Sequence, residues 1–170
     1  MSDQLVQDVS ATPQERVALV LEDQTQETID DWYQRLGVED LLKGPALTKQ
    51  ERSSHLPALF KELIHRLRNP ITPGSGIRTS EAAAAHGLLR LKQGYPAAVL
   101  IEESRCLQVS IFNTLNANAH RIDFNQLLPD VMVIADEVDA QLAIAIASYA
   151  GGAHPPVLPV APVGRNLPLQ

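Results

Sequence analysis

Apolar residues recur every three or four positions along this chain, the period of one face of an α-helix, in five successive runs. Val17, Leu21, Ile29, Trp32 and Leu36 mark the first run, and Leu56, Leu59, Phe60, Leu63, Ile64 and Leu67 the second. The third is the alanine-rich stretch "EAAAAHGLLRLKQ", and the fourth carries Val99, Leu100, Cys106, Leu107, Ile111 and Leu115. In the fifth, Val131, Ala135, Val138, Leu142, Ala145 and Tyr149 alternate by four and three, close to a short heptad seam.

The polar positions punctuate these runs in the same sense. Thr12 and Glu15, Thr48 and Glu51, and Asp123 and Gln126 each have the spacing of a capping box, in which two side chains satisfy each other's free backbone N–H groups. Thr79 or Ser80 can cap the third run, while Gly37, Asn69-Pro70 and Gly94-Tyr95-Pro96 end or interrupt helices. The pattern therefore predicts an all-α bundle of about five helices, near 13–36, 49–68, 80–93, 96–118 and 124–149. Pro129 is expected to kink the last helix or to mark its first turn. "NPITPGSG" reads as a loop. Past Gly151-Gly152, "AHPPVLPVAPVGRNLPLQ" has five prolines and no acidic residue, so 1–150 reads as the domain and 151–170 as a disordered Pro-rich tail or linker.

Composition narrows the function classes. A chain of 170 residues makes one domain with a tail, and a core rich in Leu and Ala suits packed helices. A net charge of −6 with thinly spread basic residues excludes the clustered basic face that nucleic acid needs. The single cysteine, Cys106, cannot close an internal disulfide and lies on an apolar stripe, as an inert core thiol does. No 18-residue apolar run and no signal-peptide pattern is present, so the expectation is a cytoplasmic protein without a membrane partner.

Catalytic and metal chemistry find little support. There is no G-x-S-x-G elbow, no phosphate-cradling glycine loop and no H-E-x-x-H or H-x-x-E-H metal motif. His55 and His65 are ten positions apart, which is not a same-face pair. Asp136, Glu137 and Asp139 read as a solvated helix face. No catalytic residue, metal or cofactor is expected. The polar residues that stand out are on the third helix, where His86, Arg90 and Gln93 share one face. Gly87 beside them costs the helix up to about 1 kcal/mol relative to Ala, which is explicable if a backbone or a ligand approaches closely. If Gly94-Tyr95 turns a helical hairpin, Arg90 falls opposite Val99, and His86 opposite Glu102 or Glu103. A carboxylate there would favour a protonated imidazole. The plain alternative is that these groups only bond neighbouring carbonyls and let helices pack tightly.

The segment "HGLLRLKQGY", followed by "LIEESRCLQVSI", resembles the N-terminal domain family of the RsbT co-antagonist proteins, of the RsbRD type. His86, Gly87, Arg90, Gln93, Gly94 and Tyr95 match its His-Gly-x-x-Arg-x-x-Gln-Gly-aromatic signature, and Trp32 and Arg52 look similar to its early positions. The resemblance implies a non-enzymatic sensory or regulatory input domain of bacterial signal transduction and stress response. Such domains stand ahead of a histidine kinase or another output, here expected as a downstream partner, and a homodimer is expected. It carries over no ligand and no catalytic residue. Candidate binding or switch residues are His86, Arg90, Gln93, Tyr95, Glu102 and Glu103. Two other classes compete. A two-component phosphotransfer protein would phosphorylate His86, which would then need solvent exposure and lacks the His-Glu-x-Arg spacing of kinase boxes. A haem sensor would need a large apolar cavity and bulky neighbours, whereas a smaller ligand is compatible with this stretch.

Overall fold

The computed structural model describes residues 13–37, 47–76 and 78–153. The Thr12–Glu15 capping box and the Pro-rich segment from 154 onward lie outside the described residues. Among the described residues seven α-helices and one 3-10 turn follow in order, with no strand. They are α1 (Pro13–Asp23), α2 (Thr25–Leu36), α3 (Lys49–Ser53), α4 (Leu56–Arg68), α5 (Glu81–Lys92), α6 (Ala97–Ala117) and α7 (Phe124–Ala153), with the 3-10 turn at Ala119–Arg121. Every residue of the first, second and fourth apolar runs is buried, and all but Leu100 belong to one continuous core that includes Trp32, Phe60 and Ile111.

Two of the five predicted helices are interrupted, each for a local reason. The first bends at Gln24, although backbone bonds from Gln24 to Val20 and from Thr28 to Gln24 continue across the bend. Thr25 and Thr28 donate their hydroxyls back to the carbonyls of Leu21 and Gln24, at 2.7 Å each, and such back-bonding bends helices. The second breaks at Ser54–His55. Pro57, near the start of α4, has no N–H to offer the carbonyl four residues earlier, and its ring crowds that carbonyl. The Thr48–Glu51 capping box is present, with both reciprocal bonds made. At the last helix Asp123 accepts from the N–H of Asn125 at 2.9 Å, so α7 begins at Phe124 and Pro129 lies inside it. α7 also runs on through Gly151 and Gly152.

The carboxylates on α7 are not one solvated face. Asp139 is exposed, but Asp136 accepts from Arg78, from Arg66 at 3.5 Å and from the N–H of Gly74 at 2.8 Å. Glu137 is buried 3.8 Å from Arg66 and 3.9 Å from Arg78. These ion pairs tie the loop between α4 and α5 to α7. Of the near-heptad stripe of α7, Val138 and Ala145 are buried within the single chain and Val131, Ala135, Leu142 and Tyr149 are partly buried.

Candidate functional site

α5 ends in a tight turn that sets the register of everything after it. Gly94 adopts φ +76°, Tyr95 donates its N–H to the carbonyl of Arg90 and Gly94 donates to that of Leu91, the paired bonds of a Schellman motif. Pro96 then starts α6, which returns along α5. This hairpin brings Glu103 to His86, as the equidistance argument expects, and also to Arg90, which that argument had set opposite Val99 and whose long side chain reaches one turn further along α6. Glu102 falls outside the cluster. It faces the surface and pairs with the exposed Arg105 at 2.8 Å, because one residue of helix turns a side chain by about 100°.

Arg90 is wholly buried, and each end of its guanidinium has a partner. Its Nε donates to Glu103 Oε2 at 2.9 Å, one terminal nitrogen to Gln93 Oε1 at 2.7 Å and the other to the carbonyl oxygen of Arg52 at 2.7 Å. That last acceptor exists because α3 stops just beyond it, so the break before Pro57 leaves the Arg52 carbonyl available. Arg52 Nε itself approaches Glu103 Oε1 at 3.5 Å. The buried ring of Tyr95 lies 5.3 Å from the Arg90 guanidinium and 5.6 Å from that of Arg52, within cation–π range. Tyr149, near the end of α7, donates its hydroxyl to the Tyr95 carbonyl at 2.8 Å.

His86 is 7% exposed and stacks flat on His55, with ring centroids 3.7 Å apart and planes 8° from parallel. Trp32 meets His55 edge-on at 6.0 Å and donates its indole N–H to the backbone carbonyl of Glu103 at 3.0 Å. The Nδ1 atoms of both histidines are buried without a hydrogen-bond partner among the described residues. His86 is not held as an imidazolium. Its Nε2 is 3.8 Å from Glu103 Oε2, but that carboxylate is already engaged by Arg90. Burial, and then the positive charge of Arg90, bring the His86 pKa down to about 3. Burial and the neighbouring His86 and Arg90 push His55 well below its ordinary value. The stack is therefore a pair of neutral rings at physiological pH.

Beside the stack lies a core cavity of about 30 Å³, lined by Trp32, His55, His86, Glu103, Ser104 and Gln141 together with apolar side chains of α4, α5, α6 and α7. That volume admits one or two water-sized groups and excludes haem. No group of three His, Cys, Asp or Glu side chains among the described residues could hold a metal ion. Cys106 is buried. No helix of the described residues is long and apolar enough to cross a membrane.

Of the six residues singled out from the sequence, His86, Arg90, Gln93, Tyr95 and Glu103 come together and Glu102 does not. His55 was the residue missed. It sits at the α3–α4 break with no local pattern to announce it, and only the tertiary packing of α4 against α5 brings it to His86. Comparison with protein-family models, with curated proteins and with solved structures gave no match.

Proposed function

We propose that this chain is a non-enzymatic sensory or regulatory input module of bacterial signal transduction, working in the cytoplasm ahead of a signalling output or kinase. In this reading a ligand or partner changes how the helices pack around the buried cluster. The observation that carries it is the charged Arg90–Glu103 pair and the neutral His55–His86 stack, held in the core where α2, α3, α5 and α6 converge. Buried groups of this kind are costly to leave unsatisfied. They couple these helices, because a movement of any one of them breaks bonds to the others. The resemblance of "HGLLRLKQGY" to the RsbRD-type input domains points the same way.

The burial of His86 favours this role over phosphotransfer, which requires Nδ1 or Nε2 to meet a phosphoryl donor in solvent. Trp32 is the only tryptophan in the chain and bonds directly to the cluster, so its emission reports on the site. Screening small metabolites and candidate output domains by Trp32 emission together with thermal shift tests the proposal. A partner or ligand that moves both in the wild type, and neither in Glu103→Gln, supports it. Acid-labile phosphate appearing on His86 with a kinase and ATP would sink it.

A further inference from the structure

The first turns of α7 and the loop after α4 leave an apolar surface that no described part of the chain covers. Phe124, Leu128 and Met132 follow one another at helical spacing and are 70%, 68% and 52% exposed, and Ile71 beside them is 49% exposed. Pro70, Ile71 and Pro73 on the loop side and Leu128, Met132 and Val133 on the helix side enclose a groove of about 380 Å³. These four exposed side chains alone present roughly 400–500 Å² to water, the size of the largest and often functional patch of a soluble domain, about 300–600 Å².

We propose that this surface is the contact face of a two-fold dimer, with Phe124 of each copy seated in the loop–helix groove of the other. This rests on the reading of the chain as a dimeric input module and gives that dimer its interface. Three observations select a second copy as the occupant. The chain carries a net charge of −6, so its copies repel one another in general. About a two-fold axis a patch meets itself, and none of the residues lining this groove is charged, so no like charges are apposed. The patch also has a protruding aromatic and a groove side by side, the pairing of knob and recess that an isologous contact closes.

The third observation is size. With Pro70, Pro73 and Pro129 added, the patch supplies a large part of the ~800 Å² per partner of a standard interface. The chain's own C-terminal segment is a poor rival. It follows Ala153, which lies 20–25 helical residues beyond Leu128–Val133, roughly 30–38 Å from the groove. Even in polyproline II form about ten to twelve of its 17 residues would be used up in reaching it.

Sedimentation equilibrium or light scattering of the full chain, from about 5 to 300 μM, tests the proposal. The wild type should move from the 18.5 kDa chain mass toward twice that value as concentration rises. Leu128→Glu and Met132→Glu should remain at the chain mass throughout, with unchanged helical circular dichroism, because both side chains are exposed in the single chain. Ala143→Glu, on an exposed position of the C-terminal half of α7, should dimerise as the wild type does. A dimer that survives both groove substitutions overturns this interface while leaving a dimeric module intact. A wild type that stays monomeric at 300 μM overturns the second copy as occupant, whether a chain segment, an output domain or water takes its place. The Trp32 screen is unaffected by either result and judges the input-module reading separately.

Discussion

Gly87 of α5 and Ala145 of α7 approach so closely that a Cβ built on the glycine would lie 2.0 Å from the alanine's carbonyl oxygen. The obstacle is backbone, not the end of a flexible side chain, so it cannot step aside. Gly87→Ala gains up to about 1 kcal/mol in helix propensity but forces the two helices apart, an overpacking that typically costs ~1–3 kcal/mol and occasionally more. The clash wins. Thermal denaturation should show Gly87→Ala melting well below the wild type, and an unchanged or higher melting temperature would refute this account of the α5–α7 contact.

The two adjacent glutamates of α6 should behave oppositely. Glu103→Gln leaves the fully buried Arg90 guanidinium without its counter-charge, a change that typically costs about 3–5 kcal/mol. Glu102→Gln removes only an exposed pair with Arg105, for which roughly 0–1 kcal/mol is expected. Urea titrations of the two variants decide the matter. The double variant Arg90→Met/Glu103→Met should recover much of the loss, since it removes both charges together.

Acid should act through the histidine stack. A histidine is protonated below about 6.5 in the unfolded chain, but His86 in the folded chain resists protonation down to about 3. The unfolded state therefore binds more protons across this window. The stability contributed by neutral His86 is present above pH 6.5 and drains away as pH falls toward 3, by an amount on the order of 4–5 kcal/mol at the lower limit. Trp32 emission should follow the loss. His86→Gln, which stays neutral, should flatten the acid limb of the stability curve, and an unflattened limb would show that other groups govern it.

Asp130 should act in the opposite direction. It is buried, neither of its carboxylate oxygens has a hydrogen-bond partner among the described residues, and burial raises its pKa from 3.8 to about 6. A raised folded pKa means stability that is complete below pH 3.8 and lost as pH rises through 6. The two pK units correspond to about 3 kcal/mol at neutral pH. Asp130→Asn should accordingly raise the melting temperature at pH 7.5 by several degrees and leave it nearly unchanged at pH 4. Equal effects at both pH values would show that charge is not the cause.

Much of this fold was legible because helical periodicity is a local property: Leu56 through Leu67 had to lie on one face, and they do. The site was legible to the extent that one turn fixes a register, so that counting outward from Gly94 brought His86 to Glu103. What escaped was either a competing local rule or long-range geometry. Pro57 was overridden by the strength of the surrounding apolar period, although its missing N–H splits the helix. The stacking of His55 on His86 depends on how α4 leans against α5, which no spacing along the chain encodes. The expectation of a protonated His86 fails because burial opposes the charge and Arg90 already engages the nearby carboxylate, and neither is visible in the spacing of His86 and Glu103.

The hydroxyl of Tyr149 ties the cluster to the last turns of α7. α7 is pinned to α5 where Ala145 meets Gly87, and one turn later it is tethered through Tyr149 to the carbonyl of Tyr95, whose ring lies against both guanidiniums. A rod held so tightly at one point cannot slide along its neighbour without parting from it, so the motion left to it is a swing about that fulcrum. Tyr149, one turn beyond that fulcrum, is the point at which the cluster holds α7 against such a swing.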